Sequence, residues 1–109
     1  MPRDDVEAAY FALLRAREEV DALRRYDEYL VAEAQRLRRT TSEGEALLDT
    51  VDPRLTRALR HTEQPLAQAV TARLSVIADE RRHLPDRLVA AEEYVAECER
   101  DHAARRRGG

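Results

Sequence analysis

Two Glu-x-x-His pairs are the residues of this chain whose types and spacing could do chemistry: Glu80 with His83, and Glu99 with His102. Residues three apart on a helix share a face, so each pair could chelate one metal ion. Helical bundles that hold two iron or manganese ions use this unit, with further Glu residues from facing helices. His83 lies off the apolar stripe that contains Leu84, so we expect it to face solvent.

The second pair is better placed for a metal. Glu99 and His102 flank a stripe that contains Val95 and Cys98. In a helical hairpin they would approach the acidic start of the chain, at Asp4, Asp5 and Glu7. In so acidic a sequence a Glu three residues before a His also arises by chance. We therefore predict no metal or other cofactor, and Glu99 and His102 are the candidate ligands of the alternative.

Other kinds of catalytic site find no support in the sequence. There is no Gly-x-Ser-x-Gly elbow and no glycine loop for phosphate. Cys98 has only His102, one turn away, as a base, and no third group to orient it. We predict a protein that is not an enzyme. Because Cys98 is the single cysteine and lies on an apolar stripe, we expect it to be a packing residue without a disulfide.

Composition favours an all-α protein. Of 109 residues, 43% are hydrophobic and 38% charged, with only 3 Gly and 4 Pro. This charged share, well above about a quarter, is typical of narrow helix–helix seams with solvated faces. The net charge of −3 and the interspersed signs make nucleic acid an unlikely partner. Every basic residue is Arg, which is typical of a GC-rich bacterial genome.

The expected location is the cytoplasm. The chain begins without the apolar segment of a signal peptide, and no run is long enough to cross a bilayer. One soluble domain over 1–109 is therefore predicted.

The first predicted helix covers about 4–39. Asp4 and Glu7 form a capping-box signal, and apolar residues then recur in steps of three or four, as in a coiled coil. They are Val6, Tyr10, Leu13, Ala16, Val20, Leu23, Tyr26, Leu30, Ala34 and Leu37.

A corner is predicted over 40–62. Ser42 and Glu45 form a second capping signal, which predicts a short helix through 46–48. Asp52-Pro53 predicts another helix start, with Pro at the first helical position. Leu55 and Leu59 give that helix an apolar edge.

The last segment, about 63–106, carries a second stripe. Its apolar residues are Leu66, Val70, Leu74, Ile77, Leu84, Leu88, Ala91, Val95 and Cys98. Pro65 and Pro85 either kink or break this segment.

The predicted fold is a long antiparallel helical hairpin with short helices at the corner. Five apolar residues lie off the narrow stripes and indicate a second apolar surface: Phe11, Leu14, Val31, Val76 and Val89. Pairing two hairpins into a four-helix bundle is the simplest way to bury that surface.

The segment Asp52-Pro53-Arg54-Leu55-Thr56-Arg57-Ala58-Leu59-Arg60-His61 resembles a stretch of encapsulated ferritins. Those are two-helix proteins that dimerise into a four-helix ferroxidase, so the resemblance implies a metal-binding bundle. In that family an iron-binding Glu-x-x-His follows. The corresponding residues here are Leu66-Ala67-Gln68-Ala69, which offer no ligand, so the activity is not carried over.

The corner is acidic, with Glu43, Glu45, Asp49 and Asp52. An acidic tip on a helical hairpin looks like that of Gre-type factors, which insert it into RNA polymerase. The likeness implies a transcription regulator that contacts polymerase or a sigma factor. Gre-type factors also have a β-rich anchoring domain, and no such segment is present here.

The interpretation that the residues favour is a scaffold, adaptor or regulator that acts through helix–helix contacts. Its partner would be a second copy, another helical protein, or both. The predicted interaction residues are Val20, Leu23, Leu30, Ile77, Leu84, Leu88 and Val95.

Overall fold

Two long helices joined by a short turn form a hairpin, as the sequence predicts. The computed structural model describes residues 3–108, so both ends of the predicted 1–109 domain lie outside the described residues. Helix α1 is Arg3–Leu48 and helix α2 is Pro53–Gly108. Within residues 3–108 there is no strand, and the all-α prediction is confirmed.

The turn between the helices is much shorter than the predicted corner. The amide of Asp49 donates to the Glu45 carbonyl at 3.2 Å, and that of Thr50 to the Leu47 carbonyl at 3.1 Å. Helix α2 then begins where Asp52-Pro53 predicts. The Asp52 carboxylate accepts the Arg54 amide at 2.8 Å, which is an N-cap.

Residues 40–48 continue α1, so the predicted short corner helix is not found. Ser42 and Glu45, the expected start signal, lie inside the helix. The Thr41 hydroxyl donates to the Leu37 carbonyl at 2.9 Å, which keeps it within the helical hydrogen-bond pattern. Gly44 has ordinary helical backbone, because no described glycine has a positive φ. An N-capping signal starts a new helix only where the preceding residues have left helical geometry, and here they have not.

Neither interior proline ends α2. Pro65 and Pro85 both lie within Pro53–Gly108, and both are exposed. A proline inside a helix removes one backbone hydrogen bond and strains the preceding turn. At an exposed position water can reach the carbonyl that loses its donor, so the helix persists.

The chain divides into two compact units. One, here the terminal unit, is Met1–Asp27 with His83–Gly109; the other, the turn unit, is Glu28–Arg82. In the terminal unit the buried residues of α1 are Ala9, Leu13, Ala16 and Val20, and those of α2 are Leu84 and Cys98. In the turn unit they are Leu30, Ala34, Leu48 and Ile77.

The buried positions follow a repeat of alternating four- and three-residue steps, which keeps one face of each helix turned toward the other. We call the positions of this repeat the seam. In α1 of the turn unit they are residues 30, 34, 37, 41, 44 and 48; in α2 they are 56, 60, 63, 67, 70, 74 and 77.

Arginine–carboxylate pairs flank the seam. In the terminal unit Arg24 Nη2 lies 2.9 Å from Glu92 Oε1. In the turn unit Arg73 donates two hydrogen bonds to the Glu33 carboxylate, from Nε to Oε1 at 2.8 Å and from Nη2 to Oε2 at 2.9 Å. Such a fork is stronger and more directional than a single contact. It lowers the pKa of Glu33, against the opposing effect of partial burial.

Candidate interaction surface

The seven predicted interaction residues lie within the hairpin. Four are buried, namely Val20, Leu30, Ile77 and Leu84, and three are half-buried, namely Leu23, Leu88 and Val95. The atoms that cover the buried four belong to this same chain. The packing of those four therefore stabilises the hairpin itself, whereas Leu23, Leu88 and Val95 keep part of their surface exposed.

The candidate metal ligands have other neighbours. Glu99 Oε1 lies 3.4 Å from Arg17 Nη2. The His102 ring lies 5.6 Å from the Tyr10 ring, at 45°. Among residues 3–108, no group of three or more His, Cys, Asp or Glu side chains is arranged to hold a metal ion. The positive charge of the Arg17 guanidinium beside Glu99 weakens the attraction of that carboxylate for a cation.

An open cleft of about 480 Å³ lies beside His102 in the terminal unit. It is lined by Val6, Glu7, Tyr10, Phe11, His102 and Arg106. Ligand sites usually combine such an apolar lining with a few fixed polar groups. No polar or charged residue among those described is buried. The polar groups of the cleft, Glu7, His102 and Arg106, therefore lie at its open rim or are only half-buried.

Cys98 packs as the sequence predicts. It is buried in a cluster with Leu13 and Ala16, and Val95 packs against them. A hydrogen bond with Cys98 raises the pKa of the Tyr94 hydroxyl. Tyr94 itself is half-exposed, so this contact lies at the rim of the cluster.

In the turn unit, the seam near the turn is filled by small and polar residues. On α1 the seam positions before Leu48 are Thr41 and Gly44, and a Cβ added at Gly44 would meet nothing within 4 Å. On α2 the facing positions are Arg60, Glu63 and Ala67, all exposed. The two helices are therefore not closely packed over this stretch.

Four leucines beside this stretch are exposed instead. Leu47 is 69% exposed, Leu55 57%, Leu59 39% and Leu66 63%. We call them the turn leucines. A single exposed leucine is ordinary, whereas a group of them next to a polar seam inverts the usual pattern.

The turn leucines lie on one side of the hairpin. Each directly precedes a seam position, as do Glu33 and Arg73. In an antiparallel pair, the residues that precede the seam positions of both helices line the same side. The Arg73–Glu33 contact identifies that side. Two heptads nearer the turn than Glu33 and Arg73 lie Leu47 on α1 and Leu59 on α2, so these two leucines lie opposite each other on that side.

The other side of the turn unit is polar. Its α2 residues, which directly follow seam positions, are Arg57, His61, Gln64, Gln68 and Thr71. Of the predicted acidic residues, Glu45 and Asp49 directly follow seam positions and are exposed on this side as well, whereas Glu43 precedes Gly44 and is exposed on the leucine side. On α2 the turn unit thus has one apolar side and one polar side.

The periodicity of the sequence predicts another arrangement of these leucines. It groups Leu66 in one stripe with Val70 and Leu74 and makes Leu55 and Leu59 the apolar edge of a short helix. A frame count would have found them, because 55, 59 and 66 lie one residue before the heptad frame of 70, 74 and 77. Of the predicted second surface, Phe11, Val76 and Val89 are exposed and Leu14 and Val31 are half-buried.

Comparison with models of known protein families, with curated proteins and with solved structures finds no match for the chain. Of the described helices, neither has the length of apolar sequence that would cross a membrane.

Proposed function

We propose that this chain is a non-enzymatic helical assembly module that binds another protein through the turn leucines. The observation that supports the proposal is the group of four exposed leucines on one side of the turn unit, next to a seam of small and polar residues. Leucines at seam positions would be buried within the hairpin. In this chain the four leucines lie one residue before seam positions and are exposed.

The energy available from covering the surface is substantial. Fully burying one leucine contributes about 1.5–3 kcal/mol. Scaled by the exposed fractions, the four turn leucines retain roughly 3–7 kcal/mol that a partner could recover. That is a useful share of a micromolar interaction, which needs about 8 kcal/mol. A partner helix laid on this side would complete a bundle with α1 and α2, and a helical hairpin would make it a four-helix bundle.

A triple variant tests the proposal: Leu55→Ser, Leu59→Ser and Leu66→Ser together. The matched control is Val89→Ser, which removes an equally exposed apolar side chain in the terminal unit. Purified protein is examined by sedimentation, and tagged protein is used to capture partners from the native host. Circular dichroism at 222 nm verifies that each variant keeps its helices.

We expect the wild type and Val89→Ser to associate equally, with themselves or with one stoichiometric partner, and the triple variant to lose that association. If all three proteins sediment as monomers and capture the same proteins, the turn leucines are not a binding surface and the proposal is wrong.

A further inference from the structure

We infer that the three turn leucines of α2, Leu55, Leu59 and Leu66, are covered by a second copy of this chain, with α2 of one copy packed antiparallel on α2 of the other. This inference rests on the proposed function and names its partner. It concerns the α2 part of the turn unit alone.

The α2 surface on the leucine side carries no charge over five turns. Its residues between 55 and 72 are Leu55, Ala58, Leu59, Thr62, Pro65, Leu66, Ala69 and Ala72. The first charge on this side is Arg73, which Glu33 already holds. An acidic or basic partner would lose hydration there without gaining an ion pair. The fitting partner is a helix with an uncharged strip of similar length, and this chain supplies one.

The strip is also complementary to itself. Residues 55, 59, 62, 66 and 69 are spaced by alternating steps of four and three, the spacing that lets two helices interlock. A two-fold axis between residues 60 and 61 places Leu55 opposite Leu66 of the second copy, and Leu59 opposite its Thr62. Both copies then use the same surface, as closed two-fold dimers do.

The exposed area of the chain is large enough for such an interface. The chain exposes 8430 Å², whereas a compact monomer of this mass exposes about 6,200 Å². The excess, roughly 2,200 Å² over the whole surface, leaves room for the ~800 Å² per partner that a standard stable interface buries. A dimer would bring the area per chain toward the usual value.

Cysteine cross-linking tests the arrangement. In the background Cys98→Ala, which leaves no native thiol, we compare Thr62→Cys with Thr71→Cys. Both threonines are exposed residues of α2, but Thr62 lies on the leucine side and Thr71 on the polar side. With the proposed axis, residue 62 of one copy is offset from residue 62 of the other by three residues, about 4.5 Å along the helix. The probe is oxidation in air with copper-phenanthroline at micromolar protein.

We expect most of the Thr62→Cys protein to become covalent dimer and little of the Thr71→Cys protein to do so. Adding Leu59→Ser to Thr62→Cys should reduce the dimer several-fold, and the unmodified chain should sediment at twice its mass. The inference is overturned if the two cysteines cross-link equally, or if the unmodified chain stays monomeric at high concentration. The proposed function fails separately, when the triple serine variant sediments as the wild type does and captures the same host proteins.

Discussion

Truncating Leu30 to Ala should weaken the hairpin more than any exposed substitution. Leu30 is 1% exposed, the most completely buried large side chain of the described residues. Leu→Ala in protein cores costs about 2.7–5.0 kcal/mol, the lost burial plus the cavity left behind. A seam between only two helices can partly close around a cavity, so we expect about 3 kcal/mol, near the lower end. For a chain with a usual stability of about 5–15 kcal/mol this is a large fraction.

Urea unfolding followed at 222 nm measures this change, with all proteins at one concentration. With a slope of about 1–2 kcal/mol per molar, the midpoint should fall by roughly 1.5–3 M. The control is Val89→Ala, which truncates a side chain 53% exposed; it should cost under about 1 kcal/mol. A midpoint shift for Leu30→Ala no larger than that of the control would refute the assignment of Leu30 to the packed seam.

Three further substitutions probe particular contacts. Glu33→Gln should destabilise the protein at pH 7, and its difference from the wild type should shrink as pH falls below 4.5. The pKa of Glu33 is lower in the folded chain than the usual 4.5, so the stabilisation from the Arg73 pair is present above that pH and is lost as pH falls through the folded value; urea midpoints at a series of pH values measure it. Asp52→Ala should cost about 1 kcal/mol by removing the N-cap of α2, whereas Asp49→Ala should be nearly neutral; equal effects in thermal melts would contradict the cap. Pro85→Ala should raise the melting temperature, because an interior proline costs about 3 kcal/mol relative to Ala, and an unchanged or lower value would show that the proline is accommodated without cost.

The sequence predicts the helices and the start of α2 correctly because those features are local. Steps of three and four identify a helix wherever they persist, and Asp52-Pro53 combines a capping carboxylate with a residue preset for the first turn. The predicted end of α1 near residue 39 is wrong for a related reason, since the helix continues to Leu48. Ser42 and Glu45 form a local signal, but a helix that is already nucleated extends through such residues at little cost.

The turn leucines were harder to predict because their position depends on both helices together. Periodicity identifies Leu59 and Leu66 as parts of an apolar stripe, but it does not tell which stripe faces α1. That choice depends on the frame of Val70, Leu74 and Ile77 farther along the helix. The frame and the leucine stripe differ by one residue, about 100° of rotation around the helix. Counting that frame back from Ile77 separates the two stripes, and the structure shows that the leucine stripe is the one left uncovered.

The loosely packed stretch beside the turn affects the order in which the hairpin can form. The contact of the Thr56 hydroxyl with the Leu48 carbonyl closes a loop of 8 residues, whereas the Arg73–Glu33 pair closes one of 40. Closing the longer loop first costs about 1.4 kcal/mol more in chain entropy. In a hairpin with closely packed residues next to the turn, contacts could form first at the turn and then propagate along the helices. The entropy cost of closing the larger loop first would then be avoided. Here the positions next to the turn contribute little packing, so we expect the rate of folding to depend on the slower closure of the larger loop.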